Sequence, residues 1–281
     1  MHVMALYYLL IRYAMVPVSV VIITKNEAEI IACCVAKARL ITDDIVIIDN
    51  GSTDGTVQIA TEAGCRVFQK KWDGYAANKN KGIKLAKYHW ILSLDADEVP
   101  DNELIQALQQ LPFDNPMVVY DIKFKSYFGE KQIRFGKWGR DHHIRLFHRS
   151  YVSWSESPVH ETLCLPADVK RSKLKGSLHH FSVKDIHDFN QKSENYAVLS
   201  AEKYHLSGKK STLIKRHVSP VFSFIKNYIL FLGFIDGMAG LQIAKMTVKH
   251  TRLKYKLLKE MECTDKKNEI VYADESLVID Y

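Results

Sequence analysis

The chain has 281 residues, 47% of them hydrophobic and 25% charged, with a formal net charge of +7. That length and apolar content support one large α/β domain with a helical appendage, and the lack of an internal repeat or low-complexity linker excludes a repeat array. The five cysteines show no C-x-x-C spacing, which predicts reduced thiols in a cytoplasmic protein.

Residues 1–16 form an apolar extension without a basic leading segment or a small-residue cleavage site, so a cleaved signal is not expected. It reads as a translation-start extension, with Met1 or Met15 as the start, or as a short surface-associating helix. Val18 to Ile23 is a continuous run of mostly β-branched residues, which predicts a fully buried parallel strand over 18–23 opening into a helix over 27–40. Strand 45–49, helix 55–63, strand 66–68, helix 78–88 and strand 90–94 follow. This alternation predicts a Rossmann-like parallel sheet with helices on both faces. No G-x-G-x-x-G follows the first strand, which argues against a dinucleotide oxidoreductase.

Two of these strands end in acids, at Asp49 and at Asp95-Ala96-Asp97-Glu98. Ligands of open α/β sheets bind outside the carboxyl ends of the strands, so both point to one crevice, suited to a nucleotide with a metal. Mg²⁺ and Mn²⁺ take hard oxygen ligands, usually one or two carboxylates plus substrate phosphates. Asp97 is then the direct ligand, with Asp95 acting through water or on the sugar and ribose. Such a tripeptide also forms solvated turns before a helix, here one beginning near Asp101.

Residues 117–128 alternate apolar and polar like a half-buried strand, and Gly129-Glu130-Lys131 suits a hairpin turn. Strand-like pieces recur at Arg145–Arg149 and Trp154–Glu161. The histidine pairs His142-His143 and His179-His180 cannot each chelate one ion, because neighbours on a strand face opposite sides. His180 fits either a structural histidine or a third ligand beside Asp97. From Val183 the pattern is helical, over 185–206, 221–249 and 251–261, with a break at Ser207-Gly208 and a polar tail. Residues 220–237 are dense in aromatics, yet Lys226, Asn227 and Asp236 interrupt them before the ~20 apolar residues a membrane span requires.

Four segments in order, Val20–Glu27, Asp49–Thr56, Ala77–Gly82 and Asp95–Glu98, resemble the nucleotide-binding half of a family 2, GT-A fold glycosyltransferase, over Val18 to about Leu111. The resemblance implies a Rossmann-like mixed, mostly parallel sheet flanked by helices, with a C-terminal helical appendage. It implies that Thr24, Asn26 and Glu27 lie against the nucleoside, that Asp49, Asn50 and Asp54 surround base and ribose, and that Lys79 and Asn80 sit near the donor phosphates. Many relatives carry two acids where this chain has Asp49-Asn50, and arginine where it has Lys79, whose point charge makes a less directional contact. From the residues alone, Asp54 also suits a helix N-cap, and Lys79 and Lys81 a solvated helix face. The Arg145-Leu146-Phe147 and His160-Glu161 segments resemble those of lipopolysaccharide-core glucosyltransferases.

Inverting sugar transfer needs a carboxylate to deprotonate the acceptor while the metal stabilises the departing nucleoside diphosphate. Glu161 is the first choice for that base, with Asp141 and Glu156 as competitors. The expected organisation is an extension over 1–16, a catalytic domain over 17–182 (nucleotide-sugar half 17–111, acceptor side 112–182), a helical membrane-associating region over 183–262 and a tail over 263–281. The expected activity is metal-dependent transfer of a hexose, glucose from UDP-glucose, to a lipid-linked glycan such as lipopolysaccharide inner core. A polyprenyl-phosphate sugar transferase and a non-catalytic glycan- or lipid-binding relative are the alternatives. Basic residues from Lys209 to Lys259 beside the aromatic stretch fit an anionic membrane surface, hence a peripheral location on the inner face; equally, that stretch could pack on the catalytic domain. No recognised nucleic-acid motif is present, so no nucleic-acid partner is expected.

Overall fold

The computed structural model describes residues 15–155 and 162–276, with 266–276 as backbone alone. The readings made on residues 1–14, on Glu156 and on His160-Glu161 lie outside the described residues. The chain divides into two compact units: one runs through Tyr127 and resumes over Arg140–Ser182, and the other comprises Phe128–Gly139 and Val183 onward.

The first unit begins with β1 (Val18–Thr24), α1 (Ile31–Ala38), β2 (Asp44–Asp49), α2 (Thr56–Glu62), β3 (Arg66–Gln69), α3 (Tyr75–Leu85) and β4 (Trp90–Asp95). β5 (Glu98–Pro100), α4 (Asn102–Gln109), β6 (Val118–Phe128), β8 (His142–His148), β9 (Ser153–Trp154), β10 (Leu163–Cys164) and β11 (Lys170–Val183) follow, while β7 (Lys131–Gln132) falls in the second unit. The main sheet has the order β3-β2-β1-β4-β8-β6-β11-β5. It is mixed, as expected: β3, β2, β1 and β4 pair in parallel, whereas β8 runs antiparallel to both β4 and β6, and β11 runs antiparallel to β5.

Period-two alternation makes two cores from one strand. Val18, Val20 and Ile22 of β1 pack with Ile31, Cys34 and Val35 of α1 and with Leu104 and Leu108 of α4. Val21 and Ile23 face the other way, onto Ala76 and Ile83 of α3. The closest approach is at Gly82, where a Cβ would lie 2.4 Å from Val21 Cγ1. Only glycine lets α3 lie this close to the sheet.

The first helix begins later than the expected residue 27. Asn26 adopts a left-handed φ of 55°, and the amides of Asn26, Glu27 and Ala28 donate to Ser52 Oγ, Thr56 Oγ1 and Asp54 Oδ2. Side chains of the next loop therefore hold these residues in a turn. α3 begins earlier than expected, after Gly74 at φ 97°, and stops before the extended Ala86.

The second unit contains α5 (Ile186–Leu206), α6 (Leu213–Phe224), a π turn (Ile225–Leu230), a 3-10 turn (Gly233–Asp236) and α7 (Gly237–Ser276). α5 starts where Asp185 caps the His187 and Asp188 amides, and it ends at the expected Ser207-Gly208 break. The helix expected over 221–249 is broken instead: Leu232 and Gly237 take positive φ, and the segments Leu213–Leu230 and Gly233–Asp265 meet at 73°. Conversely, α7 runs through the expected break at 250, because His250-Thr251 carries neither glycine nor proline. No single helix among the described residues is long and apolar enough to cross a membrane.

Candidate functional site

β1, β2 and β4 end side by side, with Thr24 paired to Asp49 and Ile23 to Asp95 in the sheet register. The loop after β2 is held by its own polar groups. Asp49 is fully buried, and its carboxylate accepts from the Gly51 and Ser52 amides and the Ser52 hydroxyl. The Asn50 amide donates to Thr24 O, and its side chain to Lys70 O. Asn26 Oδ1 accepts from the Thr53 amide at 2.8 Å. Asp54 caps α2 through Thr56 and accepts from Ala28, bonds that hold its pKa below the ordinary value, the Thr56 hydroxyl foremost. These four residues therefore form one preorganised loop beside the strand ends. Thr24 Oγ1 is buried there with no hydrogen-bond partner among the described residues.

The centre of the crevice is a cluster of opposed charges. Lys79 of α3, only 1% exposed, places Nζ 3.1 Å from Asp95 Oδ1, and Arg145 of β8 lies 3.2 Å from Asp95 Oδ2. Arg145 also pairs with Glu98, whose other oxygen accepts the Asp95 amide at 3.2 Å. Burial alone would push the Asp95 carboxyl up, but the Lys79 and Arg145 cations outweigh it and hold the group well below the carboxylate range. Glu98 is fully buried and moves the other way. Burial pushes its carboxyl up to about 8, the neighbouring Asp95 and Asp97 add to that, and Arg145 opposes it.

The Lys79 ammonium also lies 4.6 Å above the Trp154 ring, and Asn80 holds that tryptophan by reciprocal bonds of 2.9 and 3.1 Å with its backbone. The Asn80 amide, expected near phosphates, is thus committed to positioning β9 over Lys79. Glu27 is half-buried beside this loop.

Asp97 is 19% exposed and faces His180 of β11, with Nε2 3.5 Å from its carboxylate. β11 delivers His180 because it pairs with β5, setting His180 opposite Glu98, and because the Phe181 amide donates to Asp97 O. Neighbouring His179 points the other way, as strand geometry requires, and bonds Tyr127 at 2.8 Å. No group of three or more His, Cys, Asp or Glu able to hold a metal occurs among the described residues. A partly exposed carboxylate beside an imidazole nevertheless fits a divalent ion that takes its remaining ligands from phosphates and water. With both its oxygens facing cations, Asp95 suits a supporting position more than direct ligation.

Of the candidate bases, Asp141 is half-buried, and its carbonyl accepts from Phe124. Sequence reasoning assigned no role to Arg145, Glu98 or Trp154. Arg145 had a signal, as a lone cation against the buried Leu146-Phe147 of β8. Glu98 reads in the sequence only as one more strand-end acid and Trp154 only as the start of a strand-like piece, because Arg145 and Lys79 are distant from them in sequence.

A sheet whose parallel strands bring carboxylates to one edge, continued by antiparallel strands that carry a cation and an imidazole to the same place, is a GT-A arrangement. The chain belongs to glycosyl transferase family 2, whose sequence model matches residues 19–161. It is 29% identical over 235 residues to an uncharacterised glycosyltransferase of Rickettsia typhi, covering 79% of this chain and 80% of that one. It is 28% identical over 249 residues to the lipopolysaccharide core biosynthesis glycosyltransferase LpsC of Rhizobium meliloti, covering 82% and 90%. The crystal structure of S. aureus TarS 1-349 superposes with a TM-score of 0.43 at 15% identity, over 88% of this chain and 91% of that one. The protein is a glycosyltransferase.

Proposed function

We propose that the protein is a metal-dependent inverting glycosyltransferase that moves a hexose, glucose from UDP-glucose, to a lipid-linked glycan such as lipopolysaccharide inner core, at the inner face of the membrane. The observation that carries this reading is the clamped Asp95 with Asp97 and His180 beside it at the strand ends. In it, Thr24, Asn26, Glu27, Asp49, Asn50 and Asp54 form the nucleoside side of the crevice. Lys79 and Arg145 face the diphosphate with Asp95 as their counter-charge. Asp97, with His180, holds Mg²⁺ or Mn²⁺, and Asp95 supports it through Lys79 and Arg145. When bound, the ion neutralises charge developing on the departing diphosphate. Glu161 takes the acceptor proton, and Trp154 screens the Lys79 side of the site from water. The likeness to LpsC supports the acceptor class.

The deciding experiment is a panel of nucleoside diphosphate sugars with and without Mn²⁺, monitoring released nucleoside diphosphate. UDP-glucose should be turned over only with metal; turnover that ignores chelator would overturn the metal assignment, and preference for another donor the sugar assignment. Glu161→Gln keeps the shape but cannot accept a proton, so turnover should fall by roughly 10²–10⁴-fold with donor affinity retained. Near-normal turnover would move the role to Asp141 or Glu156.

A further inference from the structure

Twelve of the twenty large hydrophobic side chains exposed among the described residues lie between Leu213 and Met238. They cover the outside of the corner made by α6, the π turn and the 3-10 turn, with Ile214 and Met238 about 70% and 69% exposed. A soluble surface rarely presents so much contiguous apolar area unless something covers it.

Two further observations say what covers it. The first is charge. Between Ser207 and Met238 the cations are Lys209, Lys210, Lys215, Arg216 and Lys226, and the single acid is the buried Asp236. Several basic residues further along α7 are engaged within the unit: Lys249 pairs with Glu194, Lys256 with Glu260 and Lys259 with Glu262, and Lys254 lies over the Tyr204 and Tyr255 rings. The net positive charge of the segment from Ser207 to Met238 thus complements an anionic surface.

The second is hydrogen bonding. Backbone in contact with hydrocarbon must satisfy its polar groups internally. At this corner the Phe231, Leu232 and Ile235 amides donate to Lys226, Ile229 and Leu232 carbonyls, and Phe231 O accepts from Gly136. The Asp236 carboxylate accepts the Arg134 and Phe135 amides, its carbonyl takes Lys131 Nζ, and Asn227 Oδ1 takes the Lys137 amide at 2.7 Å. The polar groups of the break point inward onto residues 131–137, so the outer face is apolar.

We infer that this corner is a preformed wedge that inserts into one leaflet of an anionic lipid membrane, with Lys209, Lys210, Lys215, Arg216 and Lys226 at the headgroups. Apolar insertion and basic charge are the two signals stable peripheral binding requires. The wedge deepens the lipid-linked acceptor reading but is tested apart from it.

The experiment is flotation of the full chain with vesicles of phosphatidylcholine alone or mixed with phosphatidylglycerol, at low and high salt. Wild type should float with the mixed vesicles, less so at high salt, and hardly with phosphatidylcholine. Leu230→Glu/Ile235→Glu and Lys209→Glu/Lys210→Glu should each lower the bound fraction by roughly tenfold or more, with far-UV circular dichroism and UDP binding unchanged. No flotation of wild type would overturn the wedge, and turnover on a detergent-dispersed acceptor would then leave the proposed activity standing. Equal binding to both vesicle types that resists carbonate would mean a span. A dimer in solution that Leu230→Glu/Ile235→Glu converts to monomer would mean that a second copy covers the face.

Discussion

Asp95 and Glu98 share one guanidinium yet titrate in opposite senses, and the cause is the number of cations each one meets. Asp95 faces Lys79 and Arg145, which overcome its burial, whereas Glu98 faces Arg145 alone and two aspartates. Native Glu98 holds its proton to higher pH than the unfolded chain does, so its contribution is fully present below the ordinary 4.5 and is lost as pH rises toward about 8. Thermal melts should show stability declining across that window, and Glu98→Gln should flatten the decline. Asp95, lowered, contributes above the ordinary 3.8 and loses that contribution only in stronger acid, so the two effects separate on the pH axis. Asp97→Ala removes a partly exposed carboxylate from the edge of the site. It should leave the melt near wild type while calorimetry shows loss of metal-dependent UDP binding; wild-type binding would remove Asp97 from the metal site.

At the scale of an element, α3 is the component that sets the geometry of the crevice. It carries Lys79 against Asp95, Asn80 against Trp154 and, one turn later, Gly82 against β1. Gly82→Ala should push the helix off Val21, destabilise the protein by ~1–3 kcal/mol in chemical denaturation and reduce turnover through displaced Lys79. An unchanged denaturation midpoint would mean that the sheet relaxes around the methyl group.

Across the whole molecule, the proposed donor site lies in the first unit and the apolar corner in the second. Asp236 tests whether the two are independent, since its buried carboxylate satisfies the Arg134 and Phe135 amides within the second unit. Asp236→Ala should leave those donors unmet at ~1–3 kcal/mol each, opening residues 225–240 to limited proteolysis. UDP binding by the first unit should stay within about twofold of wild type, below one RT unit of binding free energy; a matched loss of nucleotide affinity would show that the units depend on each other.

The alternation of β-branched runs with amphipathic stretches was enough to place β1 to β4 within a residue or two: β1, β2 and β4 because burial on both faces leaves a continuous apolar signature, and the partly exposed edge strand β3 because it falls between two helical stretches. The acids at Asp49, Asp95 and Asp97 were legible for the same reason: each is the first polar residue after, or just beyond, a buried strand. Helix boundaries at 26–30 and at 231–237 were not, since they are set by side chains and backbone groups that arrive from elsewhere: Ser52, Asp54 and Thr56 in the first case, residues 131–137 in the second. Arg145 and His180, which meet Asp95 and Asp97, likewise come from β8 and β11, fifty and more residues away, and no local pattern records which strand lies beside which. Strand identity is written in hydrophobicity, which a sequence displays directly; the meeting of Lys79, Arg145, Glu98 and His180 around two carboxylates depends on long-range strand pairing, which exists only once the chain has folded.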